Sequence, residues 1–496
     1  MNLAQLSEQL LVYRIVGDPR VDIRQLEADS RQVSPGCLFF CLPGHRVDGH
    51  DYAEQAIAGG AAALVVSREL AVPVPQLVVP DTRRALAQLA DYYYGRPSKR
   101  LKPVGVTGTN GKTTTTYLVE RIWRDAGVSA GVIGTIETRY GGKSFPMSGT
   151  TPDVLELQRL FSAMAEDGTE RCVMEVSSHA LEQGRVKGCD FRTAIFTNLT
   201  QDHLDYHGTM EAYEAAKSLF FSRLGNGYAD EPRERKYAVL NGDDDASSRF
   251  AKLTSAEVLT YGIENDAHLK ASNVRIAAGG TSFRLDTFSG ESRQVELKLV
   301  GKFNVYNAMA ALGAALCEGI GLDDAIRSLE SIPGVPGRVE PVDAGQPFAV
   351  IVDYAHTPDG LENVLRTVNE LAEGRVICVF GCGGDRDKTK RPIMGRIAAE
   401  LAGMIIVTSD NPRTEDPLLI LKDIEAGLKE AGASSDRYEL EPSRKAAIEK
   451  AVEMASPGDV VLIAGKGHET YQIVGGITHD FDDRLVAKEA IRSRTK

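Results

Sequence analysis

A chain of 496 residues is too long for one hydrophobic core and predicts about three domains. Its 43% hydrophobic and 25% charged content is that of a globular protein, and no apolar run is long enough to span a bilayer, which excludes membrane insertion. A net charge of −12 argues against general nucleic-acid binding, so an anionic ligand would need locally gathered basic residues.

The start, Met1-Asn2-Leu3-Ala4-Gln5, has neither the basic nor the apolar stretch of a secretory leader. Seven scattered cysteines (Cys37, Cys41, Cys172, Cys189, Cys317, Cys378, Cys382) predict free thiols in a reducing, cytoplasmic setting. Cys378 and Cys382 lack zinc-site spacing and fit buried small hydrophobes.

Residues 1–98 mix short strands and helices around the apolar run Ala62–Val66, and the polar segment Gly95–Arg100 suits a linker. Strands at Val104–Val106, Val132–Gly134, Cys172–Val176, Ala194–Thr197 and Ala238–Leu240 then alternate with helical stretches. That alternation predicts a mostly parallel sheet covered by helices. A β-rich patch follows at Leu269–Leu299, then an alanine-rich helix near Asn304–Cys317. The breaker cluster Ser331–Gly337 suits a hinge. Beyond it, Ala349–Val352, Val376–Phe380, Met404–Thr408 and Val460–Ala464 have the pattern of buried parallel strands. The predicted fold class is α/β in three domains: a smaller N-terminal α/β domain (1–98), a central P-loop-type, mostly parallel sheet with helices (99–333), and a C-terminal Rossmann-like α/β domain (334–496).

The run Val106–Thr114 carries the sharpest chemistry. Two glycines, Gly108 and Gly111, lie between an apolar strand and a helix beginning near Thr113. This is the layout of a loop whose backbone N–H groups cradle a polyphosphate at a helix N-terminus. Lys112 would reach the β- and γ-phosphates and the Thr113 hydroxyl would hold Mg²⁺. The leading glycine of the ordinary P-loop pattern would fall at Val106, so the general pattern fails and Gly-Thr-Asn-Gly-Lys-Thr stands instead.

Other residues gain weight from their neighbours. Glu175 closes an apolar strand, where a carboxylate faces the ligand crevice and suits Mg²⁺. Arg185 suits a phosphate or carboxylate. Thr150 and Thr151 could bind a ligand or cap the helix starting near Asp153. Ser30 is as easily a satisfied turn serine as a ligand contact. Lys217, inside the helical stretch Tyr213–Phe220, has the ordinary look of a solvated lysine. The loops Gly381–Lys388, Asp410–Arg413 and Gly465–Glu469 each follow an apolar strand, and together they gather arginine and carboxylate at one sheet edge.

The loop Gly108–Thr113 resembles that of the Mur ligases and folylpolyglutamate synthetases, ATP-dependent enzymes that form amide bonds. Asp29–Phe40, Glu175–Leu181, Thr197–Gly208, Gly301–Asn307, Gly337-Arg338 and Asp353–Pro358 resemble further Mur ligase blocks, in order along nearly the whole chain. The resemblance implies ATP contacts from Gly108, Thr109, Asn110, Gly111, Lys112, Thr113, Thr114, Asn304, Arg338 and Asp353. It implies Mg²⁺ at Thr113, Glu175, His203 and Lys217, the last as N6-carboxylysine, and a catalytic set of Lys112, Glu175, His203 and Lys217. It assigns UDP-MurNAc-L-Ala-D-Glu to Ser30, Thr150, Thr151, Ser177, Gln183 and Arg185, with His45 nearby.

Asp410-Asn411-Pro412-Arg413 resembles the motif of the meso-diaminopimelate-adding branch of the family. Arg386, Asp410, Asn411, Pro412, Arg413, Gly465 and Glu469 are then the amino-acid site. The chemistry agrees. Diaminopimelate ends in a second carboxylate and ammonium, for which Arg413 and Glu469 are matched partners. Lysine has no distal carboxylate and would leave a buried Arg413 unpaired. The resemblance implies a monomeric, cytoplasmic ligase of peptidoglycan precursor synthesis acting through an acyl phosphate, with no nucleic-acid partner. A lysine-adding ligase and a nucleotide-gated switch are the rivals; the chain has no Asn-Lys-x-Asp guanine motif, and a switch would not need Arg386, Arg413 and Glu469.

Overall fold

The uninterrupted apolar runs become strands buried on both faces, as parallel sheets demand. The computed structural model describes residues 1–44, 47–147, 149–225, 234–277 and 279–494, so His45 lies outside the described residues. The chain divides into two compact units, Met1–Gly105 with Val128–Arg192 and Val106–Gly127 with Thr193–Lys496. The division passes through the strand Val104–Thr107.

In the first unit a five-stranded sheet takes the order Arg14–Val16, Gln76–Val78, Ala61–Val66, Cys37–Phe40, Gln25–Glu27. Only the first pair is antiparallel. Alternate side chains feed two cores: Leu38, Phe40, Ala63 and Val65 on one face, Phe39, Cys41, Leu64 and Val66 on the other. Each large apolar side chain buried this way contributes about 1.5–3 kcal/mol. The unit also holds Arg171–Glu175, paired parallel with Ala130–Ile133 and extended by the antiparallel strands Glu137–Tyr140 and Lys143–Pro146.

The expected linker at Gly95–Arg100 is instead part of the fold. Pro97–Leu101 forms a short helix flanked by left-handed Arg96 and Lys102 (φ 53° and 45°). Pro97, Ser98 and Leu101 are buried, and the helix packs on Val154–Glu166. Proline here starts a helix, its fixed φ matching the first helical position. Arg96, Lys99 and Arg100 are exposed, and these give the segment its linker-like composition.

In the second unit Thr193–Phe196, Tyr237–Asn241, Glu257–Gly262 and Leu269–Ala277 pair parallel in that order. The β-rich stretch is an antiparallel meander of Leu269–Ala277, Gly280–Thr287 and Ser292–Leu297. Helix Lys302–Cys317 is buried nearly all round and packs on helix Lys112–Asp125. A small residue lets it lie close on the sheet as well: a Cβ at Gly313 would stand 2.7 Å from a methyl of Val239, on the strand Tyr237–Asn241.

The same unit carries a six-stranded sheet ordered Glu340–Pro341, Ala349–Asp353, Val460–Ala464, Val376–Phe380, Met404–Val407, Tyr438–Leu440. All neighbours are parallel except the first pair. Cores on both faces hold the covering helices, so the carboxyl ends of these strands are left as the ligand crevice. The cysteines are free, and burial pushes the Cys378 and Cys382 thiols up to about 12, which makes them inert core residues. No helix among the described residues is long and apolar enough to cross a membrane.

Candidate active site

The strand Val104–Thr107 is buried throughout and delivers its chain into the glycine loop. Gly108 and Gly111 have positive φ (146° and 85°), and neither tolerates a side chain. A Cβ at Gly108 would meet Thr197 Oγ1 at 1.9 Å, and one at Gly111 would meet Asn307 Oδ1 at 2.4 Å. Asn198 fixes the loop from the neighbouring strand end: its carbonyl accepts from Thr109 N (2.9 Å) and its Oδ1 from Asn110 N (2.8 Å). The helix starts at Lys112, one residue before the expected position. Lys112 Nζ curls over the loop, donating to the carbonyls of Gly108 (2.9 Å) and Thr109 (2.8 Å).

Residues from the six-stranded region reach this loop within the same unit. Arg338 Nη2 donates to Thr113 Oγ1 at 3.0 Å, with its guanidinium 4.5 Å over the Tyr354 ring. Asn110 Nδ2 donates to Asp359 at 2.7 Å. Between them lies a cavity of about 370 Å³ lined by Gly111, Thr113, Thr114, Phe303, Tyr306 and Arg338, among others. Asp353 lines it too, with its carboxylate accepting from Val339 N and Ala355 N, both at 2.8 Å. Burial raises the Asp353 carboxyl, against the pull of Arg338. Asn304 is buried, its amide spent on Val300 O (2.9 Å) and Asn307 (3.0 Å), while Asn307 itself forms part of the wall. One cavity bounded by a helix N-terminus, an arginine and aromatic rings has the chemistry of a nucleotide polyphosphate site.

Lys217 departs from its solvated appearance. It is fully buried in helix Met210–Ser222, donates to Gly108 O at 2.9 Å and lies 4.5 Å over the Tyr213 ring. Burial, reinforced by Lys112, drives its ammonium well below the ordinary lysine range, with Asp202 pulling the other way. His203 holds left-handed backbone (φ 56°) at the start of a short helix. Its Nε2 lies 3.3 Å from Asp202, whose carboxylate also faces Lys390 at 3.9 Å. Burial would raise Asp202, but His203, Lys390 and His356 hold it at about 2.

In the first unit, Glu175 ends its strand with both oxygens occupied: Oε1 accepts from Thr135 N (2.7 Å) and Oε2 from Thr135 Oγ1 (3.0 Å). Thr150, Thr151, Ser177, Gln183 and Arg185 gather around it. Thr150 Oγ1 lies 3.1 Å from Thr135 Oγ1, whose one proton goes to Glu175, and Thr151 Oγ1 donates to Glu175 O (3.0 Å) and accepts from Ser177 N (3.1 Å). Neither threonine caps the helix Val154–Glu166, whose N-cap Asp153 makes no side-chain capping bond. Arg185 donates to Thr151 O (2.9 Å) and to Gln183 Oε1 (2.8 Å). Ser30 stands elsewhere, on a 3₁₀ turn, donating to Gln55 at 3.0 Å.

The strand-end loops of the six-stranded sheet converge. Asn411 is buried and donates to Glu469 (2.9 Å), while its Oδ1 accepts from Lys466 Nζ (3.1 Å). Lys466, fully buried, also donates to Glu469 at 2.8 Å. Burial, with Asp410 beside it, raises the Glu469 carboxyl. Arg413 takes left-handed backbone (φ 53°) and donates to Gly384 O at 2.7 Å. A Cβ at Gly465 would meet Asp410 Oδ2 at 2.6 Å, and one at Gly384 would meet the Pro412 carbonyl at 1.9 Å. Arg386 is exposed at the rim and donates to its neighbour Asp385 O.

Several participants escape sequence reasoning. Asn198, Asp202 and Lys466 sit inside the quoted motifs but carry no distinguishing type. Asp359 and Asp243 look like ordinary loop and helix-start acids until the fold brings Asp359 to Asn110 and Asp243 to Tyr306 Oη (2.8 Å).

Three family models match the chain: the Mur ligase family catalytic domain over residues 22–94, the Mur ligase middle domain over 106–315, and the Mur ligase glutamate ligase domain over 337–467. The UDP-N-acetylmuramoyl-L-alanyl-D-glutamate--2,6-diaminopimelate ligase of Halalkalibacterium halodurans is 53% identical, covering 100% of this chain and 99% of that protein. The enzyme of the same name from Geobacillus thermodenitrificans is 54% identical, with 100% of both chains covered. A solved structure titled as this ligase is 35% identical and superposes with a TM-score of 0.70 over 100% of this chain and 99% of that one.

Proposed function

The chain belongs to the Mur ligase family, and on that premise we propose that it joins meso-diaminopimelate to UDP-N-acetylmuramoyl-L-alanyl-D-glutamate with cleavage of ATP to ADP and phosphate. It thereby serves peptidoglycan precursor synthesis. Full-length identity to relatives bearing that name supports the reading. The observation that carries the choice of amino acid is the cluster of buried Asn411 and Lys466 with half-buried Glu469, beside Arg413. Half-buried Glu469 pairs with Lys466 and has the buried acid Asp410 beside it, a surplus of carboxylate over ammonium that suits a substrate ammonium. Arg413 is then the partner for the distal carboxylate.

ATP occupies the cavity beside the glycine loop, its polyphosphate on the N-terminus of helix Lys112–Asp125. Lys112, held now by the Gly108 and Thr109 carbonyls, turns to the phosphates, and Arg338 approaches them from over Tyr354. The D-glutamate side-chain carboxylate attacks the γ-phosphorus, forming an acyl phosphate and releasing ADP; Lys112 and Arg338 offset the charge that develops. The amine of diaminopimelate then attacks the acyl carbon, phosphate leaves, and the nitrogen loses a proton. The segment Ile332–Gly337 is the hinge that lets the C-terminal domain exclude water from this intermediate.

Among the described residues, no three His, Cys, Asp or Glu side chains converge as a metal site, so a metal must draw on other oxygens. Lys217 fits that need. Its burial favours the neutral amine, which adds CO₂ and loses a proton to become a carbamate. Thr113, His203 and carbamylated Lys217 would hold Mg²⁺, and Glu175 is assigned to it by the family resemblance. Bound Mg²⁺ supplies charge neutralisation on the phosphates. The UDP-substrate falls to Ser30, Thr150, Thr151, Ser177, Gln183 and Arg185. The domains are 1–98 for the UDP-substrate, 99–333 for ATP and 334–496 for the amino acid, in a monomeric cytoplasmic enzyme.

The test is phosphate release in the presence of ATP and UDP-MurNAc-L-Ala-D-Glu, comparing meso-diaminopimelate, lysine and no amino acid. Release should require diaminopimelate, and Arg413→Ala should abolish it while ATP binding persists. Equal rates with lysine, or release with no amino acid, would remove the reading.

A further inference from the structure

A small antiparallel hairpin, Tyr471–Val474 with Ile477–Asp480, belongs to none of the larger sheets. Its outer strand is exposed at every residue, so it contributes little to a core. Its inner strand presents a free edge, and that edge is spent on the run Asp410–Arg413. Ile473 uses both backbone groups there: its N–H donates to Asn411 Oδ1 and its carbonyl accepts from Arg413 N, both at 3.0 Å. Gln472 Nε2 donates to Asp410 O at 2.8 Å, and Gly476 N donates to Arg413 O at 3.2 Å. Arg413 thereby forms an isolated bridge with Val474.

Arg413 needs such support. An arginine at φ 53° sits in a region that L-residues occupy at a cost, and it stays there only when surroundings over-determine it. The hairpin grips its N–H and its carbonyl, on either side of the strained Cα. It also fixes Asn411, which positions Glu469 and Lys466. Tyr471 adds its ring 5.3 Å from Lys466 Nζ.

We propose that the hairpin Tyr471–Asp480 is a specificity-determining element, with Gln472 and Ile473 as positioning residues that aim Arg413 and Asn411 at the distal end of the amino-acid substrate. This rests on the assignment of Arg413 to a distal carboxylate. A side chain aimed by strand-edge hydrogen bonds discriminates by geometry, so loosening the edge should cost recognition of diaminopimelate and leave nucleotide handling alone.

Two variants of the full chain test this. Ile473→Pro removes the N–H given to Asn411 and leaves the hairpin's own pairing intact, because that N–H points away from the partner strand. The second replaces Tyr471–Asp480 by two glycines, which is sterically open because Phe481 N already bonds Thr470 O at 3.0 Å. Each is assayed for KM and kcat with meso-diaminopimelate, lysine and ATP. The expected result is a rise of about tenfold or more in KM for diaminopimelate, as befits one or more lost hydrogen bonds. KM for ATP should stay within about twofold, and the preference for diaminopimelate over lysine should narrow. An unchanged KM for diaminopimelate overturns the proposal, as does an equal fall in kcat for both amino acids at constant KM, the mark of a merely structural role. A parent enzyme that fails to prefer diaminopimelate at all would instead overturn the reading of Arg413 itself.

Discussion

Gly111 and Gly384 occupy positions that only a residue without a Cβ can fill, and they do so at opposite ends of the chemistry. Gly111 has φ 85°, and its missing Cβ would lie 2.4 Å from Asn307 Oδ1, a buried amide on the cavity wall. Gly384 is blocked differently: its Cβ would strike the Pro412 carbonyl, backbone that cannot rotate away. Each alanine substitution should therefore displace one site by strain of about 1–3 kcal/mol. Gly111→Ala should raise KM for ATP about tenfold or more with KM for the amino acid nearly constant, and Gly384→Ala should do the reverse. Separate substrate titrations check the pair; parallel losses in both would contradict two distinct sites. The loop glycines stand out in sequence, but the obstacle each one avoids does not. Thr197, Asn307 and Pro412 lie far along the chain from Gly108, Gly111 and Gly384, the positions at which they leave no room for a side chain.

At the scale of elements, a buried ion pair braces the amino-acid crevice. Arg444 opens the helix Arg444–Met454, Asp483 opens the helix Asp483–Arg494, and their side chains meet at 2.7 Å with no exposure. Arg444 also donates to Ala464 O (3.0 Å) and Ser409 O (3.4 Å), the backbone just before Gly465 and Asp410. Asp483→Asn keeps the shape and strands a buried guanidinium, so urea unfolding should show a loss of about 3–5 kcal/mol. Replacing both by Met and Leu should cost far less, since no charge is left behind; an additive double variant would argue against coupling. This pair marks the limit of legibility. Apolar strands such as Val376–Phe380 and Val460–Ala464 are visible in the sequence at their observed bounds because burial on both faces forces an apolar run. Charged residues at helix starts look solvated, and nothing local distinguishes Arg444 from an exposed arginine. Lys217 is hidden for the same reason, and its helix gives no hint of the Gly108 carbonyl it reaches. The hairpin Tyr471–Asp480 is missed although Gly475-Gly476 between β-formers is a hairpin signal, because its strands are only four residues long and serve a loop instead of a core.

For the molecule as a whole, two histidines held neutral should each lower stability in mild acid. Burial, with Lys390 close by, lowers His356 to about 4, and burial with Arg338 and Arg484 close by lowers His468 to about 3. The unfolded values lie near 6.5. At pH 7 both states carry neutral imidazoles and the stability is fully present. As pH falls below about 6.5 the unfolded chain takes up protons that the folded chain refuses, so stability declines. The decline continues to about 4 for His356 and to about 3 for His468. Each histidine can add at most about 1.4 kcal/mol per pH unit to the slope. Asp202, held at about 2, works in the same direction only at lower pH, below its ordinary value of 3.8, while the raised carboxyls of Asp353 and Glu469 work in the opposite direction, so the histidine contribution is isolated by substitution. His468 offers a clean probe, because its Nδ1 has no hydrogen-bond partner among the described residues and its ring lies 5.0 Å from that of Tyr354. His468→Phe keeps an aromatic ring there and cannot titrate. Urea unfolding of the parent at pH 7, 6 and 5 should show falling stability, and the variant should show a visibly shallower fall. Identical slopes would mean that His468 is charged in the folded protein, and the basic surroundings of Arg338, Arg484 and Lys466 would then need a compensating anion.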